Sequence, residues 1–181
     1  MSETPVVADT SAIAAVILGE NDADVFADAL NLHAGNLLLS EVTRFELSVV
    51  VEAKHGAQGL ARLASLLDDL DVSWMPVDAV MTRGAIAAWQ RFSKGHHAAR
   101  LNMGDCFSYA LAHELDTALL YKGDGFGQTD IRSAMERRTA NRGCPIMRIM
   151  SVRNHSMCGS RNREEAGNTL PLVGKSDVTW S

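Results

Sequence analysis

Four short apolar runs punctuate this chain, and a stretch of helical periodicity separates each from the next. Val6-Val-Ala8, Leu37-Leu-Leu39, Val72-Ser-Trp-Met75 and Ala118-Leu-Leu-Tyr121 read as strands. Between them the spacing predicts helices over 12–18, 21–33, 40–54, 57–70 and 78–92, and a further one from Asn102 to about Leu115. Their predicted inward faces carry Val25, Phe26, Ala29 and Leu30, then Phe45, Val49 and Val50, and last Phe107, Ala110, Leu111 and Leu115. Thr10 and Ser11 stand where a first helix would be capped, and Gly19, Gly35 and His55-Gly56 supply stops. Strands alternating with helices call for an α/β fold, a parallel sheet with helices on both faces. Right-handed crossovers then bring the carboxyl ends of the strands to one edge, where open α/β sheets bind ligands.

Composition narrows the class. No run of eighteen apolar residues offers a membrane span, and Met1-Ser-Glu-Thr-Pro5 has no basic region leading into an apolar stretch, so neither membrane anchoring nor a signal peptide is expected. Cys106, Cys144 and Cys158 form no C-x-x-C pair or zinc spacing, which fits a reducing, cytoplasmic setting. Charge is uneven: residues 1–134 carry a net −9 and residues 135–181 a net +4, giving −5 for the whole chain. An acidic body lacks the basic footprint of an ordinary nucleic-acid binder, but suits a protein that gathers divalent cations or meets a basic partner. Periodicity also stops near Ala134, so the expected organisation is one domain over 1–134 and an atypical basic tail over 135–181. The tail reads as poorly ordered or unrelated to the domain, although its charge could help hold RNA or an acidic partner.

The predicted topology gathers carboxylates. Asp9 follows the first strand, Glu46 lies in the second turn of the helix after the second, Asp105 opens the helix at Asn102, and Asp124 follows the fourth strand. Carboxylates held together repel unless a divalent cation removes the cost, and an all-oxygen site suits Mg²⁺ or Mn²⁺. Plainer roles stand beside this one. Asp9-Thr10 suits a helix cap, Thr43-x-x-Glu46 fits a capping box, Asp105 suits the positive end of a helix, and Asp124 between glycines is ordinary turn chemistry.

Val7-Ala-Asp-Thr-Ser-Ala12, Ser40-Glu-Val-Thr-Arg-Phe-Glu-Leu47, Leu101-Asn-Met-Gly-Asp-Cys-Phe-Ser-Tyr-Ala-Leu-Ala112 and Leu120-Tyr-Lys-Gly-Asp-Gly-Phe-Gly-Gln-Thr-Asp-Ile131 together resemble PIN-domain ribonucleases. More closely, they resemble toxins of the bacterial VapBC toxin–antitoxin type, over about residues 5–134. The resemblance implies a three-layer α/β/α sandwich with a central parallel sheet, often dimeric, that cleaves RNA with Mg²⁺ or Mn²⁺. It also implies a small antitoxin that blocks the site, in a toxin–antitoxin hetero-oligomer. By position Asp9, Glu46 and Asp105 match the family's acidic residues, with Asp9 and Asp105 as direct metal ligands. The fourth position departs from the pattern. Relatives carry Gly-Asn/Asp-Asp-Phe where this chain has Gly123-Asp-Gly-Phe126, so Asp124 or Asp130 would have to supply the charge that Gly125 lacks.

Around these acids, Thr10 and Ser11 could bond a ligating carboxylate or a metal-bound water, a role compatible with capping. Lys94, His96, His97, Arg100 and Lys122 could contact RNA phosphates, or simply form solvated loops. Glu41 reads as a carboxylate favoured by its helix start, His33, His55 and His113 as helix-surface residues, and Trp74 and Trp89 as core. The expected activity is a metal-dependent endoribonuclease of the toxin type. Its rivals are a catalytically weakened member that acts by binding its antitoxin, and a nuclease that takes DNA.

Overall fold

The computed structural model describes residues 4–135, so the basic tail lies, beyond Met135, outside the described residues. The chain divides into Met1–Ala140 and Asn141–Ser181, and only the first contains described residues. Four parallel strands, β1 (Val6–Ala8), β2 (Leu37–Ser40), β3 (Ser73–Met75) and β4 (Leu119–Leu120), form one sheet in the order β3-β2-β1-β4. Val6 pairs with Leu37 on one side of β1, and Ala8 pairs with Leu120 on the other. The order runs outward from β1 to β3 and then returns to β1's opposite flank. That reversal opens a crevice above the carboxyl ends of β1 and β4.

Helices α1 (Thr10–Ile17), α2 (Ala23–Leu32) and α3 (Glu41–Asp69) cover one face, and α4 (Ala79–Phe92) and α5 (Met103–Glu114) the other. Alternation along β1 divides the core. Val6 and Ala8 pack with Ile13, Leu30, Leu47 and Leu63, whereas Val7 packs with Met81, Ala88, Leu101 and Leu111. β1, β2 and β4 are covered on both faces, which is why they are apolar runs rather than alternating ones, while the edge strand β3 is only partly covered. The expected three-layer α/β/α sandwich is the fold observed.

Several local expectations need correction. The cap of α1 is Asp9, whose carboxylate accepts from the Ser11 amide; Thr10 is its first helical residue and is buried. α3 spans both helices expected over 40–54 and 57–70, with a break at Gly56, where φ is +59° and ψ −156°. Its inward stripe is Thr43, Leu47 and Val51, not Phe45, Val49 and Val50. Phe45 lies about 200° around the helix from Leu47 and is 69% exposed. The phase is set by the Ser40 cap, whose hydroxyl accepts from the Thr43 amide and bonds its side chain too. α5 is buried on more than one face: Cys106, Ser108, Tyr109, Ala110, Leu111 and Ala112 are all covered, because the helix lies between α4 and the sheet, and Leu115 is exposed. Trp89, expected in the core, is 46% exposed on α4, while Trp74 is half-buried beneath the Arg44 guanidinium. None of the described helices is both long and apolar enough to cross a membrane.

Candidate active site

Asp9 lies at the carboxyl end of β1, in the crevice created by the strand order, and is only 1% exposed. Its amide donates to the Leu120 carbonyl of β4 at 2.9 Å. Carboxylate oxygen Oδ2 accepts from the Ser11 amide at 2.9 Å and the Ser11 hydroxyl at 2.6 Å. The same hydroxyl accepts from the Lys122 amide at 3.0 Å, in the loop after β4. Oδ1 is buried and has no hydrogen-bond partner among the described residues. A buried carboxylate oxygen left unpaired is costly, so its ligand is sought outside the protein.

Glu46 comes to the crevice from α3. The capping-box alternative does not hold for it, because Ser40 caps α3 and Thr43 sits inside the first turn. Instead the Thr10 hydroxyl donates to Glu46 Oε2 at 2.6 Å across the layer. The carboxylate lies over the first turn of α5: a Cβ added to Gly104 would stand 2.4 Å from Oε2, 2.9 Å from Cδ and 3.0 Å from Oε1.

Asp105 closes the arrangement from α5. Asn102 and Asp105 form a reciprocal capping box, with the Asp105 amide donating to Asn102 Oδ1 at 2.9 Å and the Asn102 amide to Asp105 Oδ2 at 2.7 Å. Burial pushes the Asp105 carboxyl up to about 6, the Asn102 amide pulls it back, and the charges of Asp9 and Glu46 add to the rise. Asp9, Glu46 and Asp105 therefore share one electrostatic site. Burial also pushes the neighbouring Cys106 thiol up to about 11, so it is no nucleophile near neutrality.

This donor set fits a hard divalent cation. It offers oxygen ligands only, one of them a buried orphan, and the charges of Asp9 and Glu46 raise the cost of ionising Asp105. Among the described residues no three His, Cys, Asp or Glu side chains form a ready-made coordination cluster. Carboxylates without a counter-charge repel, and a cation between them removes that cost.

The remaining sequence candidates separate. Thr10 and Ser11 both act on the acids, as described. Asp124 is exposed on the turn after β4, while the backbone at Gly125 packs against the next loop, its virtual Cβ 3.0 Å from the Ala99 carbonyl oxygen. Asp130 is not brought to the trio. Its carboxylate accepts from the Tyr109 hydroxyl at 2.6 Å and from Arg91 at 3.2 Å, and the Tyr109 bond holds it below its ordinary range. Lys122 is not a free cation: its ammonium bridges Glu20 and Asp22. Lys94, His96, His97 and Arg100 are exposed, and with Gly95 and Ala98 they line a hollow of about 520 Å³. That loop is tied at its neck by Leu101 N–H to Phe92 O and Lys94 N–H to Leu101 O, and Leu101 leads directly into Asn102. The residues that sequence reasoning missed are Asn102 and Gly104. The first was readable as Asn-x-x-Asp, the capping-box spacing; nothing local marks the second.

The profile of the PIN-domain family matches residues 6–132. The chain is a PIN-domain protein. Among curated relatives, Ribonuclease VapC42 of Mycobacterium tuberculosis is 38% identical over 129 residues, covering 71% of this chain and 98% of the relative. Ribonuclease VapC28 of the same species is 38% identical over 133 residues, covering 73% and 99%. Ribonuclease VapC of Mycolicibacterium smegmatis is 38% identical over 125 residues, covering 69% and 96%. This PIN domain thus belongs with the VapC ribonucleases. The crystal structure of M. tuberculosis VapC20, a sarcin-ricin loop cleaving toxin, superposes with a TM-score of 0.57 at 14% identity, covering 67% of this chain and 92% of that one, and so shares the fold.

Proposed function

We propose that this PIN domain is a Mg²⁺- or Mn²⁺-dependent endoribonuclease, the toxin of a toxin–antitoxin pair, with its activity carried by residues 1–134. The single observation that carries the reading is the buried, unpartnered Oδ1 of Asp9 in the same site as Glu46 and Asp105. Asp9 and Asp105 would hold the ion, with Glu46 as a further ligand or as the group that orients the attacking water. Bound there, the ion supplies a water of lowered pKa for in-line attack on a phosphodiester, and positive charge for the developing oxyanion. Ser11 keeps Asp9 Oδ2 occupied so that Oδ1 stays available, and Thr10 holds Glu46.

Lys94, His96, His97 and Arg100 would take the RNA backbone, since their loop runs into the cap that holds Asp105. Single-stranded or loop RNA is the substrate class, because its phosphates and bases are accessible. Antitoxin capture is supported by the acidity of the crevice, and by Phe45 and Met103, exposed next to Glu46 and Gly104 in sequence. These features suit a partner segment with a cation and apolar side chains; the toxin reading also implies a cytoplasmic hetero-oligomer built on a homodimer. Asp124 on its exposed turn, beside Gly125, favours one second reading: a weakened nuclease that acts mainly through its antitoxin.

The test compares Mn²⁺-dependent cleavage of RNA and of the matching DNA by the native chain, Asp9→Asn and Asp105→Asn. Cleavage of RNA alone, lost by at least a hundredfold in both variants, is expected. Metal-independent cleavage, or full activity in either variant, would remove the mechanism, and equal cleavage of DNA would remove the substrate assignment.

A further inference from the structure

Glycine is a poor helix residue beside alanine, yet Gly104 occupies the second position of α5 and is buried. Its backbone needs no special conformation there, so the reason lies in space. The virtual Cβ would fall on the Glu46 carboxylate, 2.4 Å from the oxygen that Thr10 bonds. That oxygen ends a flexible side chain, so a methyl group at 104 would move the carboxylate rather than the fold.

We propose that Gly104 is a positioning residue of the metal site: its missing side chain is the seat of the Glu46 carboxylate, which Thr10 locks in place. The proposal rests on the metal-nuclease reading for its consequence, but not for its geometry. α5 thereby sets two acids at once, Asp105 by the capping box and Glu46 by the bare Cα one residue earlier. A larger residue at 104 leaves Asp105 in register and displaces Glu46 alone. Thr10 and Gly104 act on one carboxylate from opposite elements, so their effects pass through residue 46.

The test uses the full chain and three variants, Gly104→Ala, Glu46→Ala and the double variant. Crystals of metal-free Gly104→Ala should show the Thr10–Glu46 hydrogen bond broken with the Asn102–Asp105 capping box intact, and a cooperative melting transition should show that the variant folds. Mn²⁺ titration followed by electron paramagnetic resonance should show affinity reduced at least tenfold by Gly104→Ala. In the Glu46→Ala background the same substitution should change Mn²⁺ affinity by less than twofold. A retained Thr10–Glu46 bond, unchanged affinity, or an equal loss in both backgrounds would overturn the proposal. If the native chain binds no Mn²⁺, the metal role of Gly104 falls together with the nuclease reading, whatever the crystals show of the seat.

Discussion

At the residue scale, the site is built by controlling which atoms lack partners. Asp9 has two donors on one oxygen and none on the other, so it is half satisfied by design of the Asp9-Thr10-Ser11 segment. Asp105 carries the electrostatic cost. Its carboxyl is raised to about 6 from an ordinary 3.8, so the folded chain binds a proton there more tightly than the unfolded chain does. The contribution to stability is therefore complete below about pH 4 and lost as pH rises through about 6. The metal-free protein should lose melting temperature across that window, and Asp105→Asn should flatten the profile; identical profiles for the two would contradict the shift. Gly125 has a different lesson. Placing an acid on this turn by Gly125→Asp puts a Cβ 3.0 Å from the Ala99 carbonyl oxygen, a backbone atom with little freedom. Overpacking of this kind typically costs about 1–3 kcal/mol, so urea denaturation should show Gly125→Asp less stable than the native chain. A variant at least as stable and more active would show instead that the loop yields and that the native site is short of one ligand.

At the element scale, α3 and α5 decide which residues meet. The break at Gly56 puts φ at +59° and ψ at −156°, a region essentially closed to residues with a Cβ. No atom of the described residues lies within 4 Å of a Cβ built there, so Gly56→Ala tests backbone strain alone. A loss of about 1–3 kcal/mol is expected, read as a shift in urea midpoint at unchanged slope; an unshifted midpoint would mean that the turn between the two halves of α3 adapts freely. Both halves were legible in the sequence, since His55-Gly56 interrupts the periodicity. The rotation of the first half was not. Phe45 and Val49 are the more apolar choice for an inward face, yet Thr43, Leu47 and Val51 face inward because Ser40 binds Thr43 and sets the phase. Had Phe45 been buried, Glu46 would point away from Thr10. The apparently worse choice is the one that supplies an acid to the site.

For the whole molecule, charge should govern how substrate is met. The described body is acidic; Arg44, Arg91, Lys122 and Arg132 are each held by a carboxylate, whereas Lys94 and Arg100, on the loop leading into α5, have no carboxylate partner among the described residues. RNA binding without divalent ion should be weak, with log Kd rising with log salt, and Lys94→Ala and Arg100→Ala should each lower that slope by about 1. Slopes that do not change in either variant would take this loop out of the RNA path. The sequence by itself determined the succession of strands and helices along the chain, the parallel α/β architecture and the places of Asp9 and Asp105, because apolar periodicity and chain direction bring strand ends to one edge. Only the tertiary structure decided that Lys122 is spent on Glu20 and Asp22, that Asp130 serves Tyr109, and that Gly104 leaves room for Glu46. Those outcomes depend on which side chains compete for the same donor or the same few cubic ångströms. Residues far apart in the chain settle that competition only once they are packed.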